Sequence, residues 1–527
     1  MTRRALLTCI VGLCLAVSAA GQGPVRDFRT AKEAAPLLDF GNAALLATFG
    51  EGGISEAAGS FSKENGGIIP LEGSPDSWEA SFETRSFRRV SPKLVFSGEV
   101  AYSYFRGKEM GAQILMDPGA NAINFLEEDA TTAATKKRET YLLRGGISWS
   151  FNDRLSAGLA LDYKAGDQTK YKDPRFLNVL MDLSAAPGWA YRRPGFLIGA
   201  NLLYRHRVEQ LSAGNFGTVD HQYGILVDQG GFLGQREAFE GDIGYISVSN
   251  MRPLTDDRYG LAIQTSLGSR VQYFGQLSAD WRTGYFGSRT SSTVVFCEFR
   301  GPEAAFEGAW LIPADDSRHR IDYGVEMKYL SKLTNSYVYK TEAGLSTKIE
   351  YTGQNETLTR LDLAARAAYK WEKGLSGYRP DWVLSASAEG FTRRQNTLIY
   401  PYSRHKDHLN LTADLAGERN VKTPSACFTF AAGLRFVWGT GDPKTDSSLS
   451  EGSTKLKSFD DWLYRQYEYD TAARAGGSLS FTWSLLRFGR LVPYLKLSDR
   501  FVSLLSEPEY LQGRTRNEAA LTLGINF

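Results

Sequence analysis

Apolar and polar side chains take turns, one residue at a time, in segment after segment of this chain, the period of a β-strand whose two faces meet different surroundings. From 139 to 151, Tyr141, Leu143, Gly145, Ile147, Trp149 and Phe151 share one face and Arg144 points to the other. Between 360 and 371, Leu361, Leu363, Ala365, Ala367, Tyr369 and Trp371 oppose Arg360, Asp362, Arg366 and Lys370. Ile321, Tyr323, Val325, Met327 and Tyr329 oppose Asp322, Glu326 and Lys328, and Val271, Tyr273, Leu277 and Trp281 oppose Gln272, Gln276, Asp280 and Arg282. After the first residues no run of about 20 apolar residues occurs, so a helix spanning a bilayer is not expected.

A soluble sandwich alternates in the same way. Three features favour a transmembrane antiparallel β-barrel instead. The polar face is dense in charges of both signs, while the apolar face ends in aromatic residues, as an interfacial girdle requires. Short and long connections also interleave. Tight turns are expected at 91–93, 152–153, 192–195, 268–269, 301–302, 332–335 and 487–489, and long polar loops at 107–138, 166–176, 208–257, 393–404 and 440–470. Finally, Leu521, Leu523, Ile525 and the terminal Phe527 line one face of a last strand, in the manner of a C-terminal signal for barrel assembly. Counting segments gives an all-β barrel of about 20 strands (range about 18–22), with short periplasmic turns and long extracellular loops. Residues 208–257 read as an outer loop carrying its own hairpin, or as another pair of wall strands.

The first 21 residues divide into a basic start (Arg3, Arg4), an apolar run and a small-residue exit, Ser18-Ala19-Ala20-Gly21, the pattern of a cleaved secretory signal. The expected organisation is therefore a signal peptide at 1–21, a periplasmic lead-in or plug at 22–52, and a barrel at 53–527, placed in the outer membrane of a Gram-negative bacterium. Net charge is +2, from 61 basic and 59 acidic residues, so no global field points to nucleic acid. Cys297 and Cys427 lie on separate strand-like segments and are not expected to form a disulfide.

Several stretches resemble a family of outer-membrane barrels from Bacteroidota known only as a domain of unknown function. The residues behind this are Ser77-Trp78-Glu79-Ala80, the segment 94–104, Lys137-Arg138-Glu139-Thr140-Tyr141, and Tyr171-Lys172-Asp173-Pro174-Arg175 followed by Leu180-Met181-Asp182. The resemblance runs from about Asn42 to Phe527. It implies a barrel and brings no activity, cofactor or site residue with it.

Candidate chemistry is sparse. His405 and His408 form an H-x-x-H, which in a polar loop entering a strand has no defined geometry for a metal, and both read as solvated loop residues. A barrel lipid hydrolase would need a serine beside His206 or the Asp220-His221 pair, and no nucleophile motif accompanies either. No catalytic residue, cofactor or metal ligand is expected. The inward charges Arg144, Asp280, Arg282, Asp322, Glu326, Lys328, Arg360, Asp362, Arg366 and Lys370 read as lumen-facing, either setting the selectivity of a pore or bracing its interior. A wall of this size encloses space that must hold water or protein, and the segments 31–46 and 208–257 are the candidate plugs. The leading expectation is a non-enzymatic channel or an accessory of a surface uptake system, with outer-membrane lipid, the barrel assembly machinery and an uptake-system component as partners. The alternative is a surface-binding or scaffolding barrel that uses loop aromatics such as Phe125, Phe216, Phe232 and Trp462.

Overall fold

The alternation closes on itself. In a computed structural model that describes residues 27–50, 52–128, 130–214, 223–238, 252–289, 293–340, 348–447 and 456–527, the main sheet has 18 strands. Each wall strand pairs antiparallel with its neighbours along the chain, and the first, Gly53–Gly66, pairs on one side with Asp76–Ser91 and on the other with the last, Thr515–Asn526. Ser55 and Phe527 complete that seam by exchanging backbone hydrogen bonds of 2.8 and 2.9 Å. Among the described residues, closure leaves the wall without an edge strand.

The outer face carries the apolar set. On Ala134–Ser150, Tyr141, Leu143, Ile147 and Trp149 are exposed while Ser148 between them is fully buried. The eight steps from Tyr141 to Trp149 cover about 27 Å along a strand, or about 21 Å across the wall at a tilt of about 40°. That matches the apolar band of a membrane barrel, with an aromatic level at each margin. Neighbouring strands supply rings at the same heights: Tyr102 with Tyr141 at 5.0 Å, Tyr204 with Tyr259 at 5.3 Å and Tyr273 with Trp310 at 4.9 Å.

The two ends differ. At one, connections such as 92–93, 194–195 and 315–316 are tight; at the other, long insertions join Leu94–Met110 to Ala134–Ser150, Phe196–Gly214 to Arg252–Leu267, and Ala426–Ser447 to Arg474–Leu485. Four short strands from these insertions, Asn124–Glu127, Gly224–Asp228, Leu233–Ala238 and Lys457–Ser458, form a second sheet. Among the described residues of 208–257, 224–238 form a hairpin in this sheet, while 208–214 and 252–257 continue the two flanking wall strands.

Two expected turns are not turns. Residues 301–302 lie inside Val295–Ala314, and 332–335 inside Ser317–Lys340, so two strands replace four. Gly301 marks a close approach: a Cβ there would sit 1.8 Å from the Tyr329 carbonyl oxygen. Pro302 lacks an N–H and falls in a gap of the ladder between the Arg300–Ser331 and Glu303–Lys328 pairs, which keeps its register on both sides. Two expected long loops also shrink. The strands Leu155–Lys170 and Arg175–Arg193 are joined through 171–174, and Trp382–Ile399 and Tyr402–Lys422 through Tyr400 and Pro401. The polar residues at these sites belong to strands that continue past the apolar band. A span of membrane needs about 9–11 residues, whereas Ser317–Lys340 has 24 and Lys348–Lys373 has 26.

Candidate functional site

Inside the wall, the inward parity of the strands is polar, and the chain uses it to hold its own segments. Residues 27–49 lie against the inner wall at the tight-turn end as a short helix, Phe28–Glu33, and two 3-10 turns, Pro36–Asp39 and Ala43–Thr48. The contacts run round the barrel. Arg379 in the turn 374–381 donates to Asp27 Oδ2 from Nη2 at 2.6 Å and from Nε at 3.0 Å, and Arg29 meets Glu418 at 2.8 Å. Farther along the wall, Arg320 donates to the Glu33 carbonyl at 2.9 Å, and Lys370 pairs with the Glu33 carboxylate. Asn42 Nδ2 then donates to the carbonyls of Trp189 and Ala200 and to Gln264, and the Ala44 carbonyl accepts from Ser148 and Ser156. Arg89 and Arg192 close the circuit on the Ala47 carbonyl. Burial alone would raise the Asp27 carboxyl, but the guanidinium groups of Arg379 and Arg29 hold it below the usual carboxylate range.

The loop end is filled by the second sheet and the helix Asp460–Thr471. The hairpin 224–238 turns at Gly230 and Gly231, whose φ values of +128° and +66° favour glycine. Arg404, fully buried on the wall, donates to the carbonyls of Gly231 and Phe232, to Asp446 through both Nε and Nη2 at 2.7 Å, and to Ser458. Lys332 donates to Gln229. Glu127 is enclosed: Lys170, Lys136 at 3.3 Å and Thr132 at 2.6 Å all point at its carboxylate. The apolar centre of this assembly contains Leu126, Phe232, Phe459, Trp462 and Leu463.

The expected lumen charges divide between bracing and lining. Arg282 binds Asp256 at 2.6 Å and the Ala120 carbonyl at 3.0 Å; Arg360 donates to the carbonyls of Ala120 and Asn121; Asp362 is held by Arg393 at 2.8 Å. Asp322 meets Arg320 at 2.8 Å, Glu326 meets Lys328 at 2.8 Å, and Arg366 meets Glu307 at 3.0 Å. Arg144, 3.4 Å from Glu99, and Asp280 line a cavity of about 540 Å3 enclosed by the N-terminal segment and the wall. Leu521 and Leu523 face outward and Phe527 seals the seam.

Three loop aromatics expected as exposed partner contacts, Phe125, Phe232 and Trp462, are buried in the loop-end packing; Phe216 lies outside the described residues, as do 1–26 and the Asp220-His221 pair. His405 is exposed but His408 is buried, because residues three apart on a strand point to opposite faces and 404, 406 and 408 face inward. His206 hydrogen-bonds Asp257 at 2.7 Å. Cys297 and Cys427 are both free. Nothing in the sequence singles out the holding residues Lys136, Lys170, Lys332, Arg404 and Glu127 beyond charge at inward parity in stretches with the composition of loops and turns.

Residues 43–527 match the model of a family described only as a family of unknown function, DUF6850. No curated protein matches the chain in sequence. Among solved structures, the chain is similar to BauA, the ferric preacinetobactin receptor of Acinetobacter baumannii, at 11% identity, TM-score 0.39, over 90% of this chain and 80% of that one. It is likewise similar to the outer membrane transporter YddB of Escherichia coli (8% identity, TM-score 0.39, 90% and 81% covered) and to a Pseudomonas aeruginosa FadL homologue (12%, 0.32, 97% and 99%). None of these likenesses bears on what this chain carries.

Proposed function

We propose that this chain, which belongs to the DUF6850 family of unknown function along nearly its whole length, is an outer-membrane barrel that acts in solute uptake as a gated conduit and performs no catalysis. The outward apolar band meets the lipid of the outer membrane, with the tight turns toward the periplasm. A wall of 18 strands leaves an aqueous channel when nothing fills it. Here the two ends are filled by different segments of the chain, held by polar and charged contacts with the wall, and a cavity of about 540 Å3 remains inside. That arrangement carries the reading. Hydrogen bonds and ion pairs to a wall are reversible, so each segment has a released state that a solute or a partner component of an uptake system selects.

Proteoliposomes test it. The intact protein is expected to be impermeable to small sugars. A form lacking 27–49, with Glu127 and Arg404 also replaced to free the loop-end segments, is expected to let them pass. Free permeation through the intact protein would make it an open pore, and an impermeable released form would remove the passage role.

A further inference from the structure

Where the loop-end segments meet the wall, a second cavity of about 120 Å3 is walled by the insertions, by the helix Asp460–Thr471 and by the wall strands Lys348–Lys373, Trp382–Ile399 and Tyr402–Lys422. Seven polar side chains that line it are each more than nine-tenths buried: Gln113, Asn121, Asp228, Arg360, Gln395, Lys406 and His408. Among the described residues, Gln113 Oε1, Asn121 Nδ2 and His408 Nδ1 have no hydrogen-bond partner. The Lys406 ammonium stands 5.1 Å over the Phe232 ring and, among the described residues, makes no hydrogen bond or ion pair. Burying such groups unpaired is unfavourable, and native interiors pair nearly all of them. The Asp228 and Asp470 carboxylates also line the space.

Donors (Lys406, Asn121) and acceptors (Gln113, the carboxylates) share one small volume, and the cationic and anionic groups nearly balance. A carboxylate or an ammonium ligand would satisfy one set and oppose the other. A hydroxyl both donates and accepts, and it carries no charge. By volume the space has room for about four waters, or for a compact molecule in their place. We propose that this cavity is a binding site for a small neutral polyol, whose hydroxyls complete the partners of Gln113, Asn121, Lys406 and His408 and so tie the loop-end segments to the wall. The site does not depend on solute passage, because a ligand that binds only the assembled segments stabilises them whether or not they ever open.

The test uses the full chain in detergent without glycerol, titrated with glycerol, erythritol and glucose by saturation-transfer NMR. Backbone hydrogen exchange of 112–133 and 224–238 is followed in parallel. At least one polyol is expected to bind saturably and to slow exchange in both segments. Asn121→Ala and Lys406→Met are each expected to weaken binding by about tenfold or more while the barrel keeps its heat-resistant compact form on gels. His408→Phe fills the cavity from the wall side and is expected to abolish binding, which keeps the test decisive where a plug-side variant fails to fold. No saturable binding of any of the three polyols, ordered water alone in a crystal grown with them, or unchanged binding in His408→Phe would overturn the proposal.

Discussion

Replacing Glu127 by alanine removes the one carboxylate that two buried lysines share. Glu127 is fully buried, and the side chains of Lys136 and Lys170 are 3% and 1% exposed. Breaking a buried pair from one side costs about 3–5 kcal/mol, because an uncompensated charge stays behind. Lys136 keeps its hydrogen bond to the Gln113 carbonyl at 2.6 Å, which places the expected cost near the lower end, about 3 kcal/mol. A ceiling comes from titration: neutralising one lysine at pH 7 costs about 3.4 pKa units, or about 4.6 kcal/mol. The closed-to-released equilibrium of the segment 112–133 should therefore fall by about 150-fold. Hydrogen exchange in nanodiscs reads this as lost protection in 112–133, with the membrane-spanning amides unchanged. Raising the pH from 7 to 9 makes neutralisation about 2.7 kcal/mol cheaper, so the defect should shrink. Replacing all three residues, Glu127→Leu with Lys136→Met and Lys170→Met, should restore most of the protection, because an apolar set of similar volume has no charge to strand. Unchanged protection in Glu127→Ala, or a triple variant as loose as the single, would refute the claim that these charges hold the segment.

Acid should release the N-terminal segment. The Asp27 carboxyl is lowered in the folded state, so its stabilising contribution is present above the ordinary carboxylate value of about 3.9 and is lost as pH falls through the lowered one; protease access to 27–49 is expected to rise only below about pH 4. Arg404→Met should loosen the hairpin 224–238 by about 3 kcal/mol or more, read as exchange at Gly231 and Phe232, since it strands Asp446 and two carbonyls. On the outer face, Leu434 and Leu479 are both 67% exposed, and Leu434→Arg or Leu479→Arg should cost about 2–4 kcal/mol of barrel stability in lipid near mid-band. Asp414→Asn on the inner face removes only a half-exposed pair with Arg435 and should cost under about 1 kcal/mol in the same unfolding measurement.

The wall was legible because alternation records which side chains meet lipid. Tyr141, Leu143, Ile147 and Trp149 are outward as the pattern implies, and on another strand Arg360 and Asp362 are buried inward while Leu363 and Tyr369 are exposed. Where strands leave the band, that constraint lapses. Both faces then become polar, and stretches such as 332–335 and 393–399 take on the composition of loops while remaining paired. Gly301 and Pro302 misled for a different reason, since a close backbone approach and a missing donor look, in sequence, like a turn. Bracing was one of two readings of the inward charges, but which segments they hold was not legible. Lys332 and Arg404 have the same residue types as a solvated lumen would, and only the position of 224–238 reveals that they hold it. The buried aromatics Phe125, Phe232 and Trp462 follow the same logic: within a polar loop, an isolated ring has no periodicity to show that a second apolar centre exists.

Planar-bilayer conductance tests the closed lumen most directly, on four forms of the protein: intact, lacking 27–49, carrying Glu127→Ala with Arg404→Met, and carrying both changes. Two closures in series predict that the first three pass little or no steady current and that the combined form conducts like an aqueous barrel of 18 strands. A steady current through the intact protein, or silence from the combined form, would contradict the account.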